Sequence, residues 1–116
     1  MRVNPSLLAY LGRRVLVRVD RPLGSVHPRH PDLVCPVNYG ELPGTVSGNG
    51  QPIDAYLLGW NEAVREAWGT IVAVIVRRDD REDRLVVARD GTRWTDEQIV
   101  NAIRFQERYF QTVLAR

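Results

Sequence analysis

The residues best suited to chemistry lie in a short loop that follows a Ser-Gly turn at 47–48. Asn49, Gln51 and Asp54 are closely spaced there, and Pro52 between them limits the freedom of the backbone. Side-chain oxygens at this spacing can converge on one cation or position one phosphate. The same residue types are also ordinary turn formers, so the loop alone leaves a ligand site and a plain surface turn both open.

A second candidate is the proline-rich stretch over residues 21–32, which carries two histidines three positions apart, His27 and His30. The spacing suits metal ligation, but the chain has no third histidine and only one cysteine, which argues against a zinc site. Arg29 between them is better suited to contacting an anion, because a guanidinium grips phosphate oxygens with two parallel donors. A solvated loop is the alternative, and its three prolines argue against regular sheet.

Composition narrows the classes of function. All 16 basic residues are arginine, so any phosphate clamp in this chain is made of guanidinium groups. They are balanced by 14 acidic residues, a net charge of +2 that does not favour nucleic acid as a partner. No apolar run approaches the length of about 20 residues that spans a bilayer. The start of the chain lacks a signal-peptide pattern. These features predict a cytoplasmic protein without a membrane partner, and the lone Cys35 excludes an internal disulfide.

Hydrophobic periodicity predicts the elements that position these candidates. The sequence over 14–20 places Val15, Val17 and Val19 on one face and mostly charged residues, with Leu16, on the other, which predicts a strand with one buried face. Further strands are predicted at 53–58, 70–76 and 85–88, with a short one near 33–37. A capping box at Thr95 and Gln98 starts a helix that we expect to run close to the C-terminus. The pattern predicts an α+β fold, mainly β, and chains of this kind commonly close into an OB-like five-stranded antiparallel barrel with a C-terminal helix packed outside.

The segment from Asn38 resembles the core signature of the soluble, Mg-dependent inorganic pyrophosphatases of family I. It reads Asn-Tyr-Gly-x-x-Pro-Gly-Thr, then Gly-x-Pro-x-Asp, then an apolar run that ends in Leu-Gly. The family pattern is usually Tyr-Pro-x-Asn-Tyr-Gly followed by Asp-Gly-Asp-Pro-x-Asp. Here Cys35, Asn49 and Gln51 replace the first tyrosine and the first two aspartates, and Asp54 remains. The likeness extends over about 15–110 and implies a single pyrophosphatase-like domain covering residues 1–116.

The resemblance implies a metal site and its catalytic residues. An acidic turn before the strand at 85–88 resembles the family's second metal-binding segment, so catalytic roles are implied for Asp54 and Asp83. The implied metal ligands are Asp54, Asp83, Asp80, Asp79 and Asn49. The implied cofactor is Mg²⁺, or alternatively Mn²⁺. We expect it to bind weakly, because two of the loop positions have lost a negative charge.

Further positions are implied to contact the substrate. Tyr39, Arg84 and Tyr109 match phosphate-contacting positions of the family, and Arg29 joins them as the anion contact suggested by its own loop. Pyrophosphate or another phosphorylated small molecule is then the expected partner. Family members commonly form homo-oligomers, so a homo-oligomer is expected here too.

The departures from the family pattern leave two functions open. Gln51 stands where the water-activating base is expected, and an amide cannot accept that proton at neutral pH. Phe110 replaces a phosphate-binding lysine, whereas Glu41 could supply a carboxylate to the same cleft. One reading is a divergent hydrolase of pyrophosphate or a related phosphoanhydride. The alternative is a catalytically impaired module that binds phosphate or a nucleotide.

Overall fold

The computed structural model describes residues 5–47, 50–78 and 82–116, so Asn49, Asp79 and Asp80 lie outside the described residues. Its elements, in chain order, are α1 (Pro5–Leu8), β1 (Arg14–Arg21), β2 (Val26–His27), β3 (His30–Val34), β4 (Asn38–Leu42), β5 (Ile53–Leu58), β6 (Glu66–Arg77), β7 (Arg84–Ala88), α2 (Asp96–Glu107) and β8 (Thr112–Ala115). Within the described ranges, no helix has the length and apolar character needed to cross a membrane.

Five strands form a closed barrel in the order β1-β4-β5-β7-β6, and the pairing of β1 with β6 completes the circle. Neighbouring strands are antiparallel except β5 and β7, which run parallel. Closure pairs the edges that an open sheet of this size would expose, except where β6 extends beyond its pairing with β1. The prediction of an OB-like barrel with a helix outside is confirmed.

A close approach between β1 and β4 shapes the wall where the candidate site lies. A methyl group added at Gly40 would lie 2.0 Å from the carbonyl oxygen of Arg18, so only glycine allows these backbones to pack as they do. Beside this contact, the register of β1 shifts between Val19 and Arg21. Such bulges bend a strand and re-aim its side chains. Here the irregularity accompanies Asp20 and Arg21, which both line the cavity described below.

Alternation along the strands separates two apolar clusters. One cluster fills the barrel, with Leu57, Val74, Leu85 and Val87 among its members. The other lies on the outer face of the same strands and packs against α2 through Tyr56, Ile75, Val86, Ile99 and Ile103. Because successive strand residues point to opposite faces, β5, β6 and β7 each contribute to both clusters.

Helix α2 begins as predicted but ends earlier than predicted. The Thr95 side chain accepts a hydrogen bond from the backbone of Gln98 at 3.1 Å, and the Gln98 side chain accepts one from the backbone of Thr95 at 2.9 Å. The expectation that this helix continues close to the C-terminus is wrong, because β8 follows it and pairs with β6, with Val113 opposite Val76. Pairing with the open edge of β6 overrides the helical spacing of Val113 and Leu114.

The proline-rich stretch contains more regular structure than predicted. Strands β2 and β3 form a two-stranded hairpin in which His27 faces His30 and Val26 faces Val34. Pro28 lies in the turn, and Pro31 lies on a two-stranded ribbon, where a missing backbone donor is tolerated. The hairpin places both histidines and Arg29 above the barrel wall.

Candidate functional site

A cavity of about 940 Å³ opens on the outer face of the barrel, bounded by the β2–β3 hairpin and by the chain around the C-terminal end of α2. Its charged floor contains Asp54 and Arg84 from neighbouring strands, together with Tyr39 and Arg77. Its rim carries rings and cations from the hairpin and from the segment after α2. The rim residues are His27, Arg29, His30, Tyr109 and Phe110.

An ion pair between Asp54 and Arg84 crosses the floor. The two residues are register partners on parallel strands β5 and β7, and Nη1 of Arg84 lies 3.3 Å from Oδ2 of Asp54. The other terminal nitrogen of Arg84 donates to the Glu82 carboxylate at 3.1 Å. The exposed fraction of the Arg84 side chain is only 7%. Its buried Nε has no hydrogen-bond partner within the described residues.

The pKa of the Asp54 carboxylate is raised above its ordinary value. Burial raises its pKa, and this effect outweighs the Arg84 guanidinium and a hydrogen bond from Tyr39, which both lower it. Partial desolvation also raises the pKa of Asp20 on β1, and the negative charges of Asp54 and Glu41 raise it further. Glu41 is the register partner of Asp54 on β4. Three adjacent strands thus bring carboxylates close enough to repel one another.

A buried network supports the floor from the side of the helix. Arg77 donates to both carboxylate oxygens of Glu107, at 3.0 Å from Nε and 2.6 Å from Nη2. The hydroxyl of Tyr56 donates to the same carboxylate and accepts a hydrogen bond from Gln106 at 2.9 Å. The Phe110 ring centroid lies 3.6 Å from the guanidinium carbon of Arg77. Although burial lowers the pKa of Arg77, its bonds and charge interaction with Glu107 raise it above the ordinary value.

Sequence reasoning missed this network, although one signal for it was present. Glu107 continues the buried stripe of α2 at intervals of four residues after Ile99 and Ile103. A carboxylate on the apolar face of a helix is rarely buried without a partner, so its position indicated a buried cation opposite. Arg77 is that cation, at the end of a predicted strand of apolar residues.

Two other guanidiniums in the cavity wall have no carboxylate within ion-pair distance among the described residues. Arg21 donates to the Gln106 side chain at 3.2 Å and lies 5.6 Å from the Tyr39 ring centroid. Arg29 is exposed on the hairpin, where its backbone donates to Nδ1 of His27 at 3.1 Å. These cations differ from Arg77 and Arg84, whose charges are offset by bonded carboxylates.

The hairpin histidines place two aromatic rings beside the arginines of the rim. The ring centroids of His27 and His30 are 5.0 Å apart. Desolvation lowers the pKa of His27, and the charges of Arg21, His30 and Arg29 lower it further. Within the described residues, no three side chains of histidine, cysteine, aspartate or glutamate are grouped so as to hold a metal ion.

The structure brings most of the described candidates together. Five of them line the one cavity: Arg29, Tyr39, Asp54, Arg84 and Tyr109. Asp83 does not line it; this residue is buried just before β7 and accepts a hydrogen bond from the backbone of Arg77 at 3.2 Å. Gln51 is exposed in the loop before β5, and Cys35 is a buried free thiol.

The chain is similar to several solved structures but matches no protein-family model and no curated protein. An inorganic pyrophosphatase from Ehrlichia chaffeensis superposes with a TM-score of 0.66 and 16% identity, covering 88% of this chain and 84% of that one. An inorganic pyrophosphatase from Helicobacter pylori gives a TM-score of 0.61 and 17% identity over 94% of this chain and 79% of that one. For an inorganic pyrophosphatase from Neisseria gonorrhoeae, the TM-score is 0.61 with 19% identity, and the coverage is 84% and 74%. The barrel with its outer helix is therefore a pyrophosphatase-like fold.

Proposed function

We propose that the cavity binds a phosphoanhydride, either pyrophosphate or a molecule that contains the same linkage. The observation that carries this proposal is the pair of guanidiniums, Arg21 and Arg29, which face one cavity without a carboxylate partner in the described part of the chain. Guanidinium groups bind phosphate oxygens with charge-assisted hydrogen bonds. The likeness in fold to inorganic pyrophosphatases supports the same class of ligand.

The floor supplies the remaining contacts for such a ligand. Arg84 lies in the floor, and the Tyr39 hydroxyl is held beside Asp54. Burial raises the pKa of Tyr39, so this hydroxyl keeps its proton and can donate it either to Asp54 or to a phosphate oxygen. These groups are fixed by strands and by the network under α2, so few of them must be ordered when the ligand arrives.

Hydrolysis of the bound phosphoanhydride, assisted by Mg²⁺ or Mn²⁺, is the reaction that we propose for this site. Burial raises the pKa of Asp20 and of Asp54, and neighbouring carboxylates raise both pKa values further, so a cation placed between these side chains would stabilise their charged forms. Magnesium is commonly held by one or two carboxylates together with substrate phosphates, and Asp20 and Asp54 fit that arrangement. A bound cation would lower the pKa of a water molecule and offset charge on the phosphates. In this scheme Asp83 fixes the backbone of Arg77 from behind the wall.

Binding without hydrolysis is the second candidate, and one observation favours it. Arg84 already offsets the charge of Asp54 at 3.3 Å, in the position where a metal-binding carboxylate would need to face a cation. A site of this kind would hold phosphate through guanidiniums alone. The two candidates make different predictions about cation dependence.

Calorimetry and phosphate release test the proposal together. Pyrophosphate should bind the purified protein, and Arg21→Gln and Arg29→Gln should each weaken binding by about tenfold, because each removes hydrogen bonds to a charged ligand. Arg14→Gln is the matched control. Arg14 forms an ion pair of 2.9 Å with Asp90, and neither residue lines the cavity. An absence of pyrophosphate binding, with or without Mg²⁺, would overturn the proposed function.

Release of phosphate separates the two candidates. Hydrolysis predicts release that depends on Mg²⁺ or Mn²⁺ and is lost in Asp54→Asn but kept in the surface control Asp90→Asn. Binding without release from the wild-type protein assigns the second candidate. Equal release from the wild type and Asp54→Asn would exclude Asp54 from the reaction.

A further inference from the structure

We propose that the phosphoanhydride bound here carries a nucleoside, so that the ligand is a nucleoside diphosphate rather than bare pyrophosphate. This inference rests on the proposed function, because it assumes that the phosphates bind at the floor of the cavity. It adds a second subsite, at the rim, that takes an aromatic base.

The size of the cavity is the first observation. Cavities of roughly 300–1,000 Å³ hold ligands of the size of drugs and cofactors. At about 940 Å³ this cavity lies at the upper end of that range, and pyrophosphate would fill only a minor part of it. The remaining space lies above the charged floor, between the hairpin and the chain that follows α2.

The chemistry of the rim is the second observation. Tyr109 lines the cavity with 62% of its surface exposed, and its ring centroid lies 5.0 Å from the guanidinium carbon of Arg108. Its hydroxyl accepts a hydrogen bond from Arg108 at 2.9 Å and is already used outside the floor. Across the opening, the rings of His27 and His30 lie 5.0 Å apart, and Leu33 adds apolar surface. Exposed rings beside cationic groups are what a nucleobase stacks upon.

The arginines of the cavity wall suit a ligand with less negative charge than pyrophosphate. Arg77 and Arg84 are bonded to Glu107, Asp54 and Glu82, so their charges are largely offset. Arg21 and Arg29 remain to balance the ligand. A nucleoside diphosphate has one phosphate oxygen esterified, so it presents less negative charge than pyrophosphate and gains the stacking contact besides.

Calorimetry with ADP, UDP, pyrophosphate and adenosine tests the inference. We expect ADP to bind at least about tenfold more tightly than pyrophosphate, because base stacking contributes a factor of this order or more. Adenosine alone should bind more weakly than ADP, since it lacks the phosphates that the floor holds. UDP has a smaller base to stack, so its affinity should lie between the affinities of ADP and pyrophosphate.

Variants of Tyr109 identify the base subsite. Tyr109→Ala should weaken ADP binding about tenfold more than it weakens pyrophosphate binding, whereas Tyr109→Phe should retain ADP affinity because the ring is kept. Trp68→Ala removes another exposed aromatic side chain, 52% exposed on a different face of the barrel, and should change neither affinity.

The outcomes separate this inference from the proposed function. Pyrophosphate binding as tight as ADP binding would overturn the nucleoside subsite and leave the phosphoanhydride site standing. The same conclusion follows if Tyr109→Ala weakens both ligands equally. Adenosine binding as tight as ADP binding would overturn the orientation with phosphates at the floor, and no binding of any phosphate ligand would overturn both proposals.

Discussion

The inner and outer faces of the barrel strands share one backbone but differ in chemistry. On β5, Leu57 points into an apolar interior, whereas Asp54 and Tyr56 point outwards to charged partners. On β6, Val76 belongs to the interior and Arg77 to the outer face. The inner face is held by apolar packing that depends little on pH. The outer face combines an apolar cluster against α2 with buried ion pairs and hydrogen bonds, and these polar contacts cost desolvation energy unless every partner is in place.

The difference shows where a site can be built on a small closed barrel. Its interior is filled, so the ligand-sized space lies outside, where a second layer of chain encloses the strands. Helix α2 and its following turn are that layer, and they supply Gln106, Glu107, Tyr109 and Phe110. Four variants sharpen the contrast between the two faces.

Breaking the buried ion pair should have the largest effect. Glu107→Ala removes the carboxylate that accepts two hydrogen bonds from the buried Arg77, so we expect the free energy of unfolding to fall by about 3–5 kcal/mol in urea denaturation. Glu97→Ala, on the exposed first turn of the same helix, should lose less than about 1 kcal/mol. The double variant Arg77→Met with Glu107→Leu should recover most of the loss. A loss below about 1 kcal/mol for Glu107→Ala would show that the outer face does not depend on this pair.

Removing a buried side chain from the inner face should cause the second largest loss of stability. Leu57→Ala removes a side chain that is 1% exposed, and we expect a loss of about 3 kcal/mol from lost burial and the space left behind. Because only apolar contacts are lost, the loss should be the same at pH 5 and pH 8, and pyrophosphate affinity should not change. A loss that varies strongly with pH would contradict the distinction between the faces.

Loosening the start of α2 should have a smaller effect. Thr95→Ala removes the capping side chain and should reduce the free energy of unfolding by about 1 kcal/mol. Thr95→Ser keeps the acceptor oxygen and serves as the control. Hydrogen exchange should increase in α2 while the amides of β5 and β7 stay protected. Equal loss of protection in the barrel would show that the two layers unfold as one unit.

The carboxylate of the floor should give the smallest effect, visible as a dependence on pH. Burial raises the pKa of Asp54 in the folded chain, so the protonated form is favoured by folding. The stability that this provides is present at pH values below the ordinary pKa of 3.8 and is lost as the pH rises through the raised folded value. Asp54→Asn cannot titrate, so its stability relative to the wild type should increase between pH 3 and pH 7.

We expect the change for Asp54→Asn to stay below about 1 kcal/mol, because solvent screens a partly exposed carboxylate. Thermal or urea denaturation in metal-free buffer at several pH values measures it, with Asp90→Asn as the reference for a surface aspartate. A relative stability that decreases towards neutral pH would contradict the direction of the shift.

Four of the five barrel strands were predictable because their periodicity is local, whereas β4 (Asn38–Leu42) was not predicted as a strand. The valines of β1, the apolar run of β5 and the β-branched run of β6 each alternate or cluster as buried strands do, and β5 was predicted with its observed bounds. The capping box of α2 was readable for the same reason, since Thr95 and Gln98 are three residues apart. Elements that form only by pairing with a distant part of the chain could not be predicted from local sequence. β8 forms only because β6 offers an open edge, and this overrode a helical spacing.

The candidate site was predictable only in part. Tyr39, Asp54 and Arg84 could be selected because they lie in or beside a recognisable motif. Arg77 could not, because its partner Glu107 is 30 residues away and nothing local distinguishes it from the charged turn that follows. Asp20 was missed because the shift in register beside Gly40 is set by a contact between two strands.

The C-terminal arginine returns to the beginning of the helical layer. Arg116 donates to the carbonyl of Trp94 at 3.2 Å and to the carboxylate of Asp96 at 2.8 Å, which ties the last residue to the first turn of α2. One continuous segment, 94–116, therefore packs on the outside of the barrel, and hydrogen bonds join its two ends. Exchanging that segment between related proteins would change Gln106, Tyr109 and Phe110 in the lining of the cavity while leaving the five barrel strands unchanged.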